Sequence, residues 1–415
     1  MSRKMKSSAL SWVEDVPSEW GIGKIKHIYS VTLGKMISPT QTDIDQTLEN
    51  YLCAANIKWN GVDTSVHKQM WLNRSEKEQY LLEEGDVLIM EGGTAGTATI
   101  YHNEFAPCYI QNSVHKCHGK NLVANKFLYY WMHVVQNSGY VNTICNKATI
   151  QHYTKDKVKE TPCVIVPEKE QQAIVRYLDS KCSAIDEAIE RHKKIIEKLE
   201  EYRKAEISRE MSACTKTIPA KRVFMIYAGA TPKSGISEYW DGEINWITPA
   251  DYKTEDHYIT SSKRQITEEG YASCNTTIVP ENSIIVSKRA PIGTVGIASV
   301  PLCTNQGCLS CVPYNNAYAE FYYYALIYKN EEMQVLGAGT TFQEISAVAF
   351  SNMKLPYADI DTQKKVASRL VAVDTMIQTY REKHLAVIEK LEEYRKSIIY
   401  NAVTGKIDCR KEATE

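Results

Sequence analysis

The chain has 415 residues, 43% of them hydrophobic, which is more than one ordinary domain needs and enough for more than one core. Its 49 basic and 50 acidic residues nearly cancel, so this balance excludes a chain that binds nucleic acid or a membrane surface through net charge alone. Any contact with DNA therefore requires basic residues gathered on one face.

The twelve cysteines are spread along the chain, and residues 1–6 lead into polar sequence, not into the apolar core of a signal peptide. No stretch approaches the roughly 20 apolar residues that a membrane span requires. These features predict free thiols and a cytoplasmic protein.

Residues 1–20 are interpreted as an N-terminal segment that precedes a globular domain at residues 21–167. Short apolar runs such as residues 86–90 and 163–166 are bounded by Gly, Pro and Asn, which is typical of short strands. Residues 125–132 carry apolar side chains at helical spacing. The combination predicts an α+β domain.

Residues 168–212 contain no Pro or Gly, and their apolar residues recur mostly at steps of three and four, the pattern of a coiled-coil seam. A helix of this length extends roughly 66 Å at 1.5 Å per residue, which is longer than a globular domain needs. It therefore needs a partner along its length.

The second half of the chain repeats the first. Residues 196–204 and residues 388–396 both read Ile-Glu-Lys-Leu-Glu-Glu-Tyr-Arg-Lys, nine identities at an offset of 192. Residues 213–357 repeat the pattern of the first globular domain. Residues 358–405 predict a second long helix that stops at Gly405, and residues 406–415 predict a flexible tail.

The predicted fold class is α+β, with two similar globular α/β domains separated by two long antiparallel coiled-coil helices and related by pseudo-two-fold symmetry. Two similar domains held at a fixed separation would recognise two features that lie a fixed distance apart. The two-fold symmetry that relates them is also the symmetry of duplex DNA. The predicted helix–helix seam comprises Leu178, Ile185, Ile189, His192, Ile196, Leu199, Leu370, Ile377, His384, Ile388 and Leu391.

Several motifs resemble the specificity (S) subunits of type I restriction-modification systems. Residues 16–20 (Val-Pro-Ser-Glu-Trp) are similar to the usual opening of that family, and residues 167–179 resemble the start of its first conserved helical region. Residues 402–406 (Ala-Val-Thr-Gly-Lys) are similar to the end of its second. In the second globular domain, the similar landmarks are residues 245–251, 287–289, 291–294 and 304–306.

The resemblance implies that each globular domain is a target recognition domain that reads one half of a split DNA site. It also implies that the helices set the unread spacer and dock two methyltransferase (M) subunits, which bind S-adenosylmethionine and methylate adenine. Restriction (R) subunits would add cleavage. No cofactor and no catalytic residue is expected in this chain, which lacks the Asn/Asp-Pro-Pro-aromatic motif and the phosphate-binding loop.

Lys and Arg suit phosphate contacts, and Arg, Asn and Gln suit base edges. The candidate DNA-binding residues of the second domain are Lys233, Ser234, Lys288, Arg289, Asn305 and Gln306. Those of the first domain are Lys58, Asn60, His67, Lys68, Asn73 and Arg74. The first domain departs from the family pattern, because residues 91–92 (Glu-Gly) align with Lys288 and Arg289, and residues 111–112 (Gln-Asn) align with Asn305 and Gln306.

The repeated helical stretch also predicts a surface for the partner subunits. The candidate docking residues are Glu200, Tyr202, Arg203, Glu392, Tyr394 and Arg395. The simpler interpretation of this charged face is a solvated helix surface with i,i+4 pairs. Identity of the polar positions in both copies favours docking, because packing alone would restrain only the apolar ones.

Other interpretations stay open. Residues 92–96 are Gly-rich, but a tight turn explains them better than a phosphate cradle. The cysteines at 303, 308 and 311 lack the fourth ligand of a structural zinc site, so no metal site is predicted. His192 and His384 are interpreted as register-setting seam residues, with a pH switch or a metal pair as the alternative.

Two other functional classes compete with DNA recognition. One is a coiled-coil adaptor that joins two protein partners without sequence-specific DNA binding. The other is a solitary nuclease built on residues 251–253 (Asp-Tyr-Lys), although one Asp-x-Lys without a second placed carboxylate is weak support for metal-assisted cleavage.

Overall fold

Two compact units make up the computed structural model, which describes residues 3–145, 152–337 and 343–412. Unit 1 comprises Met1–His192 and Ala386–Glu415, and unit 2 comprises Lys193–Leu385. Each unit therefore contains one globular domain and a segment of each long helix.

The described residues of unit 1 form thirteen strands, with helices among them. They are β1 (Met5–Leu10), β2 (Val13–Pro17), β3 (Gly21–Lys24), β4 (Ser30–Leu33), β5 (Thr47–Leu52), β6 (Ile57–Lys58), β7 (Gly61–Val62), β8 (Gln69–Leu72), β9 (Val87–Met90), β10 (Ala98–Ile100), β11 (Tyr109–Ile110), β12 (Val114–His118) and β13 (Pro162–Ile165). The helices among and after them are α1 (Arg74–Tyr80), α2 (Leu122–Asn137), α3 (Tyr140–Ile144), α4 (Lys155–Glu160) and α5 (Glu168–Ser212), which continues into unit 2.

Unit 2 repeats most of this order, without a counterpart of the hairpin β1–β2. Its strands are β14 (Lys216–Pro219), β15 (Phe224–Ala228), β16 (Trp240–Ile247), β17 (Tyr258–Ile259), β18 (Gln265–Ile266), β19 (Ile284–Ser287), β20 (Val295–Ala298), β21 (Cys303–Thr304), β22 (Cys308–Pro313) and β23 (Lys354–Tyr357). Its helices are α6 (Glu268–Ala272), α7 (Ala319–Tyr328), α8 (Asn330–Gly337), α9 (Ala347–Asn352) and α10 (Ile360–Val403), which returns to unit 1 and is followed by α11 (Cys409–Glu412).

Three sheets have the same strand order in both units. The largest runs β10-β9-β12-β4 in unit 1 and β20-β19-β22-β15 in unit 2, where β17 joins parallel to β20. A three-stranded sheet runs β11-β5-β8 and β21-β16-β18, and a two-stranded sheet pairs β3 with β13 and β14 with β23. The predicted α+β fold with two similar domains and two long helices is confirmed.

The repeat extends to single backbone hydrogen bonds at the ends of these strands. Gly34 N donates to Val114 O at 3.1 Å, and Gly229 N donates to Cys308 O at 3.4 Å. A Cβ atom on Gly34 would lie 2.4 Å from Gln111 O, and one on Gly229 would lie 2.1 Å from Asn305 O. Because these neighbours are backbone atoms, both domains require glycine where the first strand of the large sheet ends.

Aromatic side chains fill the core between the domain helix and the large sheet in each unit. In unit 1, α2 contributes Phe127 and Trp131, which are almost completely buried. In unit 2, α7 contributes the buried Phe321 and Tyr322, and Tyr322 packs on Phe224 of β15. Burial of such large side chains supplies much of the hydrophobic stabilisation of each domain.

The two long helices run antiparallel within each unit. In unit 2, Arg203 and Glu210 of α5 pair with Asp374 and Arg369 of α10, so later positions on one helix meet earlier positions on the other. In unit 1, Asp186 of α5 pairs with Arg395 of α10. Trp20 lies near the start of α5 and the residues after α10: its Nε1 donates to Glu170 Oε2 at 2.9 Å, and a Cβ atom on Gly405 would lie 3.1 Å from its ring.

Packing of the predicted seam differs between its ends and its middle. Leu178, Ile185, Ile189, Leu370 and Ile377 are buried. The half-buried seam residues are His192, Ile196, Leu199, His384, Ile388 and Leu391. The ends are covered because the globular domains pack there, whereas the middle of each helix has fewer neighbours.

The chain ends differ from expectation. The N-terminal segment forms the hairpin β1–β2, and Arg3 pairs with Glu19 and Glu170. The segment predicted as a flexible tail includes α11, and Cys409 is buried in the core of unit 1. Ile407 and Cys409 attach this segment to the core of unit 1, because they supply apolar side chains that the tail prediction did not consider.

Candidate nucleic-acid interface

Four loops of unit 2 end at one edge of its sheets, which we call the loop edge. They follow β15, β16 and β19, and join β21 to β22. Backbone hydrogen bonds tie them together: Ala230 N donates to Thr304 O at 3.0 Å, Asn305 N to Ile247 O at 2.9 Å and Lys288 N to Gly307 O at 2.9 Å. These hydrogen bonds fix the positions of the loops relative to one another.

Lys288 and Arg289 lie at this edge but are engaged within the protein. Lys288 Nζ lies 2.8 Å from Glu344 Oε1, and Arg289 Nε lies 2.8 Å from Glu344 Oε2. Hydrogen bonds from the two cations lower the pKa of Glu344. A phosphate bound here would have to compete with this carboxylate.

The amide residues are joined to a neighbouring loop. Asn305 Oδ1 accepts a hydrogen bond from Gly307 N at 2.8 Å, which shapes the turn into β22. Gln306 is exposed and bonds the hydroxyl of Thr231, which the sequence did not single out. Lys233 and Ser234 are exposed on the same loop as Thr231. The structure therefore brings all six residues predicted for the second domain to one edge.

A pair of tryptophans supports this edge from below. Trp246 Nε1 donates to Ala230 O at 2.9 Å, and the Trp240 ring lies 5.2 Å from the Trp246 ring in an edge-to-face arrangement. The exposed Arg264 lies over the Trp240 ring. Sequence reasoning missed Arg264, because its supporting ring lies 24 positions earlier and no periodicity connects them.

Unit 1 has the same loop edge with different side chains. Lys35 N donates to Ile110 O at 3.0 Å and Gln111 N to Leu52 O at 3.0 Å, which repeat the bonds of unit 2. Glu91 N donates to Ser113 O at 2.9 Å, so Glu91 occupies the position of Lys288. Burial raises the pKa of Glu91, and the nearby His152, 3.9 Å away, opposes this shift.

The six residues predicted for the first domain do not gather at one place. His67 and Lys68 are exposed just before β8, and Tyr51 N donates to Lys68 O at 3.0 Å, which places this segment at the loop edge. Lys58 and Asn60 lie instead on the hairpin β6–β7, whose Trp59 carbonyl accepts a hydrogen bond from the hydroxyl of Tyr129 on α2.

Asn73 and Arg74 lie at the start of α1. The side chain of Asn73 caps α1, because its Oδ1 accepts from Glu76 N at 2.9 Å while Glu76 Oε2 accepts from Asn73 N at 2.9 Å. This reciprocal capping box occupies the amide that was expected to contact a base. Arg74 is the first residue of α1, and its side chain is 94% exposed.

The repeated arginines of the long helices also differ from expectation. Arg203 pairs with Asp374 through two bonds of 2.8 Å, from Nε to Oδ1 and from Nη2 to Oδ2. Burial disfavours its charged form, but the bonds and charge of Asp374 outweigh that cost and raise the pKa of Arg203. Arg395 Nη1 donates to Asp186 Oδ1 at 2.9 Å. Both guanidiniums link the two long helices, and their assignment to partner docking stays a prediction.

A tyrosine of each globular domain joins these helix contacts. Tyr324 of α7 donates to Asp374 Oδ2 at 3.0 Å, and Tyr130 of α2 donates to Asp179 Oδ1 at 2.7 Å. Lys126 also bonds Asp179, at 2.6 Å. Each domain is therefore fastened to the long helices by a carboxylate of a helix and a hydroxyl of the domain.

The other candidate docking residues fall into two groups. Tyr202 and Tyr394 occupy the same position of the repeat and are 44% and 52% exposed. Glu392 is exposed as well. Glu200 is half-buried beside Arg203 in a cavity of unit 2. An exposed tyrosine at one repeated position of both helices is not explained by packing within either unit.

The family model for the type I restriction modification DNA specificity domain matches residues 17–201 and 216–390, one copy for each half of the repeat. The chain belongs to this family. Similar curated proteins include the specificity subunit of the type I restriction enzyme MjaIX from Methanocaldococcus jannaschii, 34% identical over 41% of this chain and 40% of that protein. The EcoR124I/EcoR124II specificity subunit from Escherichia coli is 23% identical over 78% of this chain and 81% of that protein.

Solved structures share the fold of this specificity-domain protein. One is a chain from a type I restriction-modification system studied for its assembly and conformational transition, with a TM-score of 0.74, 13% identity and coverage of 94% of this chain and 99% of that one. Another is the S subunit from Thermoanaerobacter tengcongensis, with a TM-score of 0.51, 15% identity and coverage of 94% and 98%.

Within residues 3–145, 152–337 and 343–412 of this specificity-domain protein, no three His, Cys, Asp or Glu side chains are grouped as metal ligands would be. The cysteines at 303, 308 and 311 are buried free thiols of β21 and β22. No helix in these ranges is long and apolar enough to cross a membrane.

Proposed function

We propose that this chain is the DNA sequence-recognition subunit of a type I restriction-modification complex, and that each globular domain reads one half of a bipartite target. The observation that carries the proposal is the duplicated loop edge. The same backbone bonds recur at Gly34 and Gly229, whereas the side chains at equivalent positions differ, as with Glu91 and Lys288. One scaffold with two sets of polar side chains suits two different half-sites.

The composition of the loop edge supports DNA as the ligand. Lys233, Arg264 and Gln306 of unit 2 are all exposed, a mixture of cations for phosphate and planar groups for base edges. The net charge of the whole chain is only −1, so its affinity for DNA must come from such local groups. Binding would therefore weaken steeply as salt rises.

The long helices set the spacer and dock the partner subunits. Two M subunits would bind equivalent surfaces, because the nine-residue repeat occurs once on each helix. Within that repeat the ion pairs account for Arg203 and Arg395, and Tyr202 and Tyr394 are its aromatic pair, exposed in both copies. Exposed tyrosines are favoured anchors in protein interfaces.

Catalysis belongs to the partners. The M subunits bind S-adenosylmethionine and methylate adenine, and R subunits add cleavage where they are present. This chain contributes recognition and geometry, and the complex acts on DNA in the cytoplasm.

The spacer offers the sharpest test of this function. One helical turn is inserted into each long helix, after His192 in α5 and after Leu385 in α10, so that the antiparallel pairing within each unit is preserved. Each turn adds about 5.4 Å, and we expect the unread spacer to lengthen while both half-sites stay the same. Sequencing of methylated genomic DNA from cells that express the M subunit measures this, with the native chain as the control.

An unchanged spacer would show that the helices do not measure the site. Absence of sequence-specific methylation and of salt-dependent DNA binding by the native complex would favour the coiled-coil adaptor instead. Methyl transfer or cleavage by the isolated chain would point to an enzyme.

A further inference from the structure

The guanidinium of Arg264 lies over an aromatic ring at the loop edge of unit 2. Its Cζ atom lies 3.6 Å from the centroid of the Trp240 ring. At this distance the guanidinium gains cation–π attraction, and its plane is restrained by the ring beneath it. The side chain therefore loses little further freedom when it binds a ligand.

The supporting ring is itself immobilised. Trp240 is buried, and it packs edge-to-face on Trp246 at an interplanar angle of 81°. Its indole Nε1 donates to Lys233 O at 3.4 Å. Trp240 thus links Arg264 to the loop that carries two of the predicted DNA-binding residues.

The backbone of Arg264 is also fixed. Ser262 Oγ donates to Arg264 O at 2.6 Å, and Ser262 N donates to Asn245 Oδ1 at 3.2 Å. Among the described residues, the guanidinium of Arg264 donates no hydrogen bond and forms no ion pair, unlike that of Arg289. Its donor edges are therefore available to a ligand.

The other unit places a lysine at the equivalent position. Asn245 of β16 pairs with Gln265 of β18, and Asn50 of β5 pairs with Gln69 of β8. The residues just before the second strand of each pair are Arg264 and Lys68. Both recognition domains therefore present a long cation at this point of the loop edge, but only Arg264 of the two is stacked on an aromatic ring.

We propose that Arg264, held flat by Trp240, reads a guanine in the half-site bound by unit 2. A planar guanidinium with free donor edges matches the O6 and N7 acceptors of guanine in the major groove. A phosphate contact would not need a fixed plane, and Lys68 supplies only a point charge at the same place in unit 1. The inference rests on the proposed DNA-recognition function.

The test compares Arg264→Ala and Arg264→Lys in the complete complex with the M subunit. Arg222→Ala is the matched control, because Arg222 is exposed in the same unit but precedes β15, at the strand end opposite the loop edge. The readouts are the methylated motif in genomic DNA and the affinity for duplexes that carry the native motif or single substitutions within it. Melting by circular dichroism checks that each variant is folded.

We expect Arg264→Ala to lower the affinity for the native motif about 5- to 150-fold, to leave non-specific affinity nearly unchanged and to relax the motif at one G·C pair. Arg264→Lys should not restore the discrimination, because it keeps the charge but loses the planar fork. Arg222→Ala should behave as the native protein.

Two results would overturn the inference while leaving DNA recognition intact. One is an unchanged motif with an affinity within twofold of native for Arg264→Ala. The other is a uniform loss on all sequences that Arg264→Lys restores, which identifies a phosphate contact. Failure of the native complex to methylate a specific sequence would instead refute the proposed function itself.

Discussion

The loop edges of the two units share their backbone and differ in charge. In unit 2, Lys288 and Arg289 pair with Glu344, whereas in unit 1 Glu91 faces His152 at the same two backbone positions. The equivalence follows from matching bonds, Tyr153 N to Glu91 O at 2.8 Å and Ile345 N to Lys288 O at 2.9 Å. The side chains of Lys288 and Glu91 therefore carry opposite charges at equivalent positions, although the two sheets have the same strand order.

The ion pairs between the two long helices also differ from one unit to the other. Arg203 and Asp374 are both largely buried and form two parallel bonds, whereas Asp186, which pairs with Arg395, remains 48% exposed. Position 374 of the second helix aligns with position 182 of the first, which is a cysteine. The carboxylate of unit 1 lies one turn later, so an equivalent link is built from different positions.

The largest expected effect is the loss of stability when these ion pairs are broken. Asp374→Ala leaves Arg203 buried without its partner and also removes the acceptor of the Tyr324 hydroxyl, so we expect a loss of about 3 kcal/mol in the free energy of unfolding. Asp186→Ala should cost about 1 kcal/mol or less, because that pair is screened by water. Urea unfolding of the two variants measures both changes in the free energy of unfolding. Equal losses would show that the two ion pairs stabilise the protein equally.

Acid should destabilise unit 1 through a buried histidine. Burial lowers the pKa of His133 from 6.5 to about 3, and its Nε2 has no hydrogen-bond partner among the described residues. The unfolded chain binds more protons between these values, so this contribution is complete above pH 6.5 and decreases as pH falls toward 3. At pH 5 the loss from this group is about 2 kcal/mol.

His133→Phe isolates that contribution. The imidazole stacks on Trp59 at 3.8 Å, and phenylalanine keeps a ring there without a titrating group. The free energy of unfolding of the variant should change less between pH 7 and pH 5 than that of the native chain. The same pH dependence in both proteins would assign the acid sensitivity to other groups, such as His115, whose pKa burial lowers to about 4.

The smallest expected effect is a change in the DNA affinity of the charged loop edges. Glu344→Gln frees Lys288 and Arg289 for phosphate, so we expect DNA binding to tighten about two- to fivefold and its salt dependence to become steeper. His152→Gln, the matched change in unit 1, leaves Glu91 in place and should not tighten binding. Fluorescence anisotropy over a salt series measures both. Weaker binding by Glu344→Gln would mean that Glu344 positions the two cations for DNA.

Local sequence patterns were sufficient to predict the internal repeat and the two long helices. The helix expected at residues 168–212 extends over Glu168–Ser212, because an uninterrupted run without Pro or Gly and with apolar residues at helical steps admits few other structures. The second helix begins after Asp359, whose side chain accepts from Thr362 N, and ends shortly before Gly405. Both signals are local in sequence.

The candidate site was predicted less completely. All six residues named for the second domain lie at its loop edge, since the loops that carry them follow recognisable strands. The cap that Asn73 forms was not predicted, because a capping asparagine and a base-reading asparagine look the same without their surroundings. The ion pair of Arg203 was not predicted, because its partner, Asp374, lies 171 positions away.

The sequence by itself determined the duplication, the two long helices and the family, because each is recorded in neighbouring residues or in a direct repeat. The tertiary structure alone decided which charges are neutralised and which remain exposed. Arg203 and Arg289 are bound by carboxylates from distant segments, whereas Arg264 lies on a tryptophan ring with its donor edges exposed. The availability of a charge depends on its neighbours in space, which periodicity and composition do not encode.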